Sequence, residues 1–223
     1  MRIGIAGAGR MGRAIADRVD MAPDLELAGI WRRGGDIDEV ATGSDVLVDF
    51  SLPEALGAVL SAAQRHGRPL VCGVSGLDEQ QMAAISKTAD SIAIVYDRNM
   101  SAGIAVLENA VRLAAAALGP EFEVQVHETH HVHKIDAPSG TALKLGEAVA
   151  ESLGIDPGGI HYESERRGEV PGDHTVILAS ATEQLSFHHS VTTREVFADG
   201  ALRAARWVAA RPPGLYSMHD VLA

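Results

Sequence analysis

Between His127 and His133 the chain carries four histidines, and Lys134 follows at once. Imidazoles exchange protons near neutral pH, and an amine adds a positive charge and a second proton source. Ile135-Asp136-Ala137-Pro138 then leads into Ser139-Gly140-Thr141, which reads as the start of a helix over residues 139–153 with Ser139 as N-cap. A helix N-terminus binds anions through its free N–H groups and its dipole. These residue types suit holding an acidic small molecule and moving a proton on it. A metal site is the weaker reading. The histidine spacing matches no helical H-x-x-x-H pattern, Lys134 would repel a divalent ion, and Glu128 and Asp136 show no evident ligand geometry. Read as a strand, the stretch places His131 and His133 on one face and His130 on the other. His127 and His133 are the histidines expected to be structural.

Elements must position these groups. Residues 2–6 read as a buried strand, Gly7-Ala8-Gly9-Arg10-Met11-Gly12 follows, and residues 13–21 read as a helix. In this G-x-G-x-x-G the first glycine permits the tight turn, the second lets backbone approach a pyrophosphate, and the third allows close helix–strand packing. A second strand, residues 25–31, ends in Trp31-Arg32-Arg33-Gly34-Gly35, where an NAD-binding domain usually places an acid against the ribose. Arg32 and Arg33 suit a 2′-phosphate instead, by bidentate hydrogen bonding and by stacking. NADPH is therefore the expected cofactor, with NADH as the alternative, and Asp36 and Asp38 could serve the ribose if the loop folds back.

Strands over residues 45–50, 69–74 and 91–96 alternate with helices that begin near Ser51-Leu52-Pro53 and at Asp78. That alternation predicts a parallel sheet covered on both faces, with ligands at the carboxyl ends of its strands. Gly73-Val74-Ser75-Gly76 and Asp97-Arg98-Asn99-Met100 thereby join the glycine turn as cofactor loops. After an Ala-rich helix over 101–118 the character changes. Residues 122–129 alternate, with Phe122, Val124 and Val126 on one face. Residues 174–180 and 184–191 alternate with no helix between them, as an antiparallel pair does. Residues 195–210 read as a helix, and the tail as a turn and a short terminal element.

The chain has 223 residues, 46% of them apolar, enough for one substantial core or two small domains. No apolar run is long enough to span a bilayer, and no signal-peptide pattern opens the chain, so no membrane partner is expected. The single cysteine, Cys72, fits a reducing compartment and a cytoplasmic location. A net charge of −11 without a basic stripe argues against nucleic acid. An anionic substrate must then be attracted by a local basic cluster against the global field.

The motifs resemble those of the dihydrodipicolinate (4-hydroxy-tetrahydrodipicolinate) reductase family over nearly the whole chain. The resemblance is carried by Gly7 to Gly12 with Arg13, Val48-Asp49-Phe50-Ser51 with Pro53 and Glu54, Gly73 to Gly76, and Asn99-Met100-Ser101-Ala102-Gly103. It continues through Glu128 to Thr141 and the tail with Gly214-Leu215-Tyr216, Met218 and Asp220-Val221-Leu222. It implies an α/β fold: a Rossmann-type doubly wound parallel sheet with an inserted α+β substrate domain of mixed sheet. Residues 1–100 and 195–223 would form the dinucleotide-binding domain, and 101–194 the substrate-binding and oligomerisation domain. The implied activity is reduction of a cyclic imine dicarboxylate by NAD(P)H, in the diaminopimelate route to lysine. The implied roles are proton donation for His130 and Lys134, and a carboxylate cradle from His131, Lys134, Ser139, Gly140 and Thr141. The cofactor loops are Gly7 to Gly12, Gly73 to Ser75 and Asp97 to Met100, and the implied assembly is a homotetramer. Three departures stand out. Trp31-Arg32 replaces the family's acid–basic pair, the region between residues 153 and 174 is short, and residues 32–44 leave room for little more than a turn of helix.

Overall fold

The computed structural model describes all 223 residues and divides into two compact units. The first comprises Met1–Ala102 and Arg194–Ala223, the second Gly103–Thr193.

The first unit opens with β1 (Arg2–Ala6), α1 (Arg10–Asp20), β2 (Glu26–Trp31), α2 (Ile37–Gly43) and β3 (Val46–Asp49). A 3-10 turn (Pro53–Ala55) leads into α3 (Leu56–Arg65), followed by β4 (Leu70–Cys72), α4 (Glu79–Ala89) and β5 (Ala93–Tyr96). Val46, Leu47, Val48, Leu70, Val71 and Cys72 are fully buried, as continuous apolar strands between two helical layers must be. Asp78 and Gln81 form a reciprocal capping box that starts α4.

The second unit contains α5 (Ala102–Leu118), β6 (Glu123–His130), α6 (Gly140–Leu153), β7 (His161–Arg166), β8 (Asp173–Ala179) and β9 (Gln184–Ser190). Its sheet runs β7-β6-β8-β9. β6 and β7 are parallel and the other pairs antiparallel, so the sheet is mixed. Ile104, Val111, Val126, Leu145, Val149 and Val176 join α5, α6 and one sheet face in a single core.

The chain then returns to the first unit with α7 (Glu195–Val208), β10 (Gly214–Tyr216) and α8 (Met218–Leu222). That unit's six-stranded sheet is wholly parallel, in the order β10-β5-β4-β3-β1-β2. Helices α1 and α7 pack together on one face, and α2, α3 and α4 on the other.

Three elements differ from expectation. Helix α1 begins at Arg10 rather than at residue 13, because Gly9 takes the extended backbone of an N-cap. The tail supplies a sixth strand, β10, whose three residues are too few to show a period. Strand β7 is polar and mostly exposed, so His161-Tyr162-Glu163-Ser164-Glu165-Arg166 carries no apolar alternation.

Candidate active site

In the first unit the strand order reverses between β1 and β3, the place where open parallel sheets bind ligands. The loops after these two strands touch there. Gly7 has φ of +105°, and a Cβ on it would lie 2.7 Å from the Phe50 carbonyl oxygen. A Cβ on Gly12 would lie 1.8 Å from the Gly7 carbonyl oxygen, so α1 meets the turn at a separation that only glycine permits. Gly9 differs from both, since a Cβ there would meet nothing within 4 Å. No side chain caps α1. Its first N–H groups, between Ala8 on one side and Arg10 and Met11 on the other, are therefore open to an anion, which fits a pyrophosphate.

Arg32 and Arg33 follow β2, both exposed. Their turn is closed by Gly35 N–H donating to the Arg32 carbonyl at 2.9 Å and by the Trp31 indole donating to the Gly35 carbonyl at 3.0 Å. The two acids expected to be available to a ribose are engaged elsewhere. Asp36 caps α2 by accepting from Asp38 N–H at 2.9 Å, and the Asp38 carboxylate holds Arg65 and, at 2.8 Å, His66. At the β4 end, a Cβ on Gly73 would lie 2.4 Å from the Phe50 ring, so that ring covers the glycine. Val74 is buried and Ser75 exposed.

The β5 loop is less open than its sequence suggested. Asp97 is buried, accepting from Asn99 N–H at 3.1 Å and from Met218 N–H at 3.3 Å, which ties the loop to α8. Met100 is buried too, with Gly200 so close that a Cβ there would sit 1.7 Å from the Met100 carbonyl oxygen. Asp97 and Met100 shape the loop; exposed Arg98 and half-buried Asn99 are the side chains it presents.

In the second unit the inward face of β6 carries Val124, Val126, Glu128 and His130, all buried. The strand ends at His130, and a turn closed by Lys134 N–H donating to the His131 carbonyl at 3.1 Å replaces the expected continuation. His131 and His133 still lie near each other, ring centroids 6.1 Å apart, but through the turn and not through strand alternation. His133 is largely exposed, 3.4 Å from Glu169, and half-buried His127 lies 3.5 Å from Glu163. Both meet a glutamate outside the core rather than packing within it.

His130 is the one that turns inward. Its Nδ1 is in contact with the Glu128 carboxylate, and its ring stands edge-on to His174 at 5.1 Å. Glu128 also accepts from the Arg166 guanidinium at 3.0 Å. Lys134 Nζ lies 2.8 Å from the Asp136 carboxylate. Ser139 caps α6, its Oγ accepting from Ala142 N–H at 3.2 Å and lying 3.2 Å from His174 Nε2. Thr141 is buried behind it, and a Cβ on Gly140 would meet nothing within 4 Å. The first turn of α6 is thus open at the glycine and held by side chains on either side.

The ionisation states follow from these neighbours. Burial pushes the Glu128 carboxyl up, but hydrogen bonds from Ser164, His130 and Arg166 outweigh it and hold the group below its usual range. Burial pushes His130 down, and the nearby positive charges of Lys134 and Arg166 add to that; Glu128 opposes them without overcoming them. Asp136 is raised by burial and lowered further by its bond to Lys134, so it lies below its usual range. Burial, with His130 beside it, drives His174 down to about 3.

The sequence pattern assigns no role to Arg166 or His174 and no geometry to Glu128 or Asp136. One signal was available: an acid two residues before His130 on the apolar face of an alternating strand demands a partner. Arg166 and His174 gave none, because their approach depends on strand pairing. No group of three or more His, Cys, Asp or Glu side chains converges as a metal site would.

These two units define the class of two-part Rossmann-type oxidoreductases. Within that class the chain belongs to the dihydrodipicolinate reductase family, a pyridine-nucleotide-dependent family. The family's N-terminal model matches residues 1–100 and its C-terminal model residues 103–222. The 4-hydroxy-tetrahydrodipicolinate reductase of Halorhodospira halophila is 39% identical over 261 aligned positions, covering 99% of this chain and 98% of the relative. That of Caulobacter vibrioides is 41% identical over 249 positions, covering 100% and 97%. Both alignments are longer than this chain's 223 residues, so these relatives carry additional internal segments. Among solved structures, the dipicolinate-bound dihydrodipicolinate reductase from Paenisporosarcina sp. TG-14 superposes with a TM-score of 0.81 at 20% identity, covering 99% of this chain and 98% of that one. No helix is long and apolar enough to cross a membrane.

Proposed function

We propose that the chain reduces 4-hydroxy-tetrahydrodipicolinate to tetrahydrodipicolinate in the diaminopimelate route to lysine, using NADPH in preference to NADH. The observation that carries this reading is the Lys134 ammonium, 2.8 Å from Asp136 on the turn that runs directly into the capped start of α6. The nicotinamide, when bound, supplies the hydride. That hydride would go to the ring carbon that carried the hydroxyl, after loss of water to a conjugated imine.

The chain's own groups do the rest. The first turn of α6, from Ser139 through Gly140 and Thr141, binds one substrate carboxylate through backbone N–H groups, and His131 and Lys134 complete the cradle. Lys134 delivers the proton. His130, buried and below its usual pKa, is neutral near pH 7 and acts as its proton-exchange partner. Gly7, Ala8, Gly9, Arg10, Met11 and Gly12 hold the pyrophosphate, and Gly73, Val74 and Ser75 with Asp97, Arg98, Asn99 and Met100 frame the nicotinamide ribose. Arg32 and Arg33 take the 2′-phosphate, which the engagement of Asp36 and Asp38 elsewhere supports. We assign the first unit to the cofactor and the second to substrate and assembly. The assembly is a homotetramer joined through the sheet face opposite α5 and α6, which bears His127, Thr175, Ile177 and His188. The location is the cytoplasm, in keeping with a single buried thiol.

The test is oxidation of NADPH and NADH by the purified protein, with the cyclic substrate generated in place. Fast turnover favouring NADPH is expected. Cofactor binding without turnover would overturn the reading, and equal use of both cofactors would remove the arginine argument alone.

A further inference from the structure

Besides the carbonyl of its chain neighbour Glu165, at 2.8 Å, the Arg166 side chain reaches three places at once. Its Nη1 donates to Glu128 Oε1 at 3.0 Å, its Nε to the Lys134 carbonyl at 3.3 Å, and its Nη2 to the Asp136 carbonyl. The other oxygen of Glu128 contacts His130 Nδ1. Arg167 N–H donates to the His130 carbonyl at 2.7 Å, so the strand behind the imidazole is fixed as well. Glu128 is 2% exposed and its carboxylate has no competing water shell.

We infer that Glu128 and Arg166 are positioning residues for proton delivery: Glu128 holds His130 as the Nδ1–H tautomer, and Arg166 locks that imidazole to the turn carrying Lys134. This rests on the proposed reductase reading. The tautomer follows from the donor inventory. An ionised carboxylate only accepts, so the nitrogen facing it must carry the hydrogen. The lone pair is then on Nε2, which is the nitrogen left to exchange protons. Gly172 supports this placement, since a Cβ there would lie 3.0 Å from His130 Nε2 and close off that approach. The charged or titratable groups acting on the ring are Glu128 from its own strand, Arg166 from β7, Lys134 and Asp136 from the turn and His174 from β8. Burial and the two cations keep the ring neutral, while Glu128 fixes which neutral form it takes.

A plain salt bridge between β6 and β7 would look similar, and one substitution separates the two. Glu128→Gln keeps the shape but leaves a single acceptor oxygen. Arg166 claims that oxygen, so the amide NH2 faces Nδ1 and His130 must move its hydrogen to Nε2. Two readouts test this. Nitrogen NMR of the histidine rings in wild-type protein is expected to show His130 as the Nδ1–H form, and in Glu128→Gln as the Nε2–H form. Turnover of Glu128→Gln is expected to fall by about 10-fold or more, up to about 10⁴-fold, the loss seen when the carboxylate that sets a catalytic imidazole's tautomer becomes an amide, with the NADPH KM unchanged. Arg166→Lys, which keeps the charge but gathers its donors on one atom in place of the spread guanidinium fork, should lower turnover in the same way. An Nε2–H ring in wild-type protein, or Glu128→Gln with wild-type turnover and tautomer, would overturn the inference. The wild-type ring measurement requires no folded variant and no turnover. An inactive wild-type enzyme would therefore count against the reductase reading, while the tautomer result would still decide this one.

Discussion

The two units each begin a helix at a candidate anion site, and they do so by different means. Helix α1 starts at Gly9 with no side-chain cap, and its approach is open because nothing stands where a Cβ would go. Helix α6 starts at Ser139, whose hydroxyl bonds Ala142 N–H and meets buried His174. The first site is made of backbone and empty space, as suits a pyrophosphate that is only held. The second is made of side chains whose charge and tautomer are set by burial, as suits a carboxylate beside a carbon that must be protonated. One is specified by local shape, the other by partners drawn from β6, β7 and β8.

The largest expected difference between them is steric. Gly12→Ala forces a Cβ to within 1.8 Å of the Gly7 carbonyl oxygen and should cost the first unit about 1–3 kcal/mol, read by denaturant titration, with cofactor binding lost. Gly9→Ala should leave stability within about 0.5 kcal/mol yet still weaken NADPH, because its methyl enters the open approach. Equal effects of the two substitutions would break the distinction between packing glycine and approach glycine. Next in size, Arg32→Ala should weaken NADPH about 10–100-fold and NADH little, by isothermal titration, since a charge-assisted bond to phosphate contributes about 1.5–3 kcal/mol. In the second unit, Ser139→Ala should cost about 1 kcal/mol of helix stability and raise the substrate KM while the NADPH KM stays put. A shift in both would deny that the two sites can be perturbed one at a time.

Acidity offers the most discriminating contrast. Burial raises Asp49 of β3 to about 6, and its Oδ2 has no hydrogen-bond partner. A group whose folded pKa is raised contributes stability below its unfolded value and loses it as pH climbs through the folded one, here between about 4 and about 6. His174 runs the other way. Its folded pKa is depressed to about 3, so its contribution is complete above about 6.5 and is lost as pH falls from there toward 3. Acidification from pH 7 to 5 should thus weaken protection of β8 amides to hydrogen exchange while strengthening β3. Asp49→Asn should flatten the first trend and His174→Phe the second. Parallel trends in both strands would contradict the assignment of these two groups.

The same contrast explains what the sequence made legible. The glycine turn, the strand alternation and the Ser139 cap could be read because each depends on residues within a few positions of one another. Gly7, Gly9 and Gly12 are recognisable by spacing alone, and Asp78 announces a helix start. The partners of His130 were not legible, because Arg166 and His174 reach it through pairing of β6 with β7 and β8, between residues more than 30 positions apart. Extending strand alternation past His130 failed for a related reason: the Lys134 turn is held by Arg166, which periodicity cannot see. Arg32 and Arg33 were readable as a pair, but the engagement of Asp36 and Asp38 elsewhere became evident only with α2 and His66 in place.

The central claim is that Lys134 supplies the proton at a site independent of the cofactor turn. Steady-state kinetics of Lys134→Ala beside NADPH titration tests it most directly. The account predicts that kcat/KM falls by about 10²–10⁴-fold, the usual contribution of a positioned general acid, with NADPH affinity unchanged. Near-wild-type turnover in that variant, or an equal loss of NADPH binding, would contradict it.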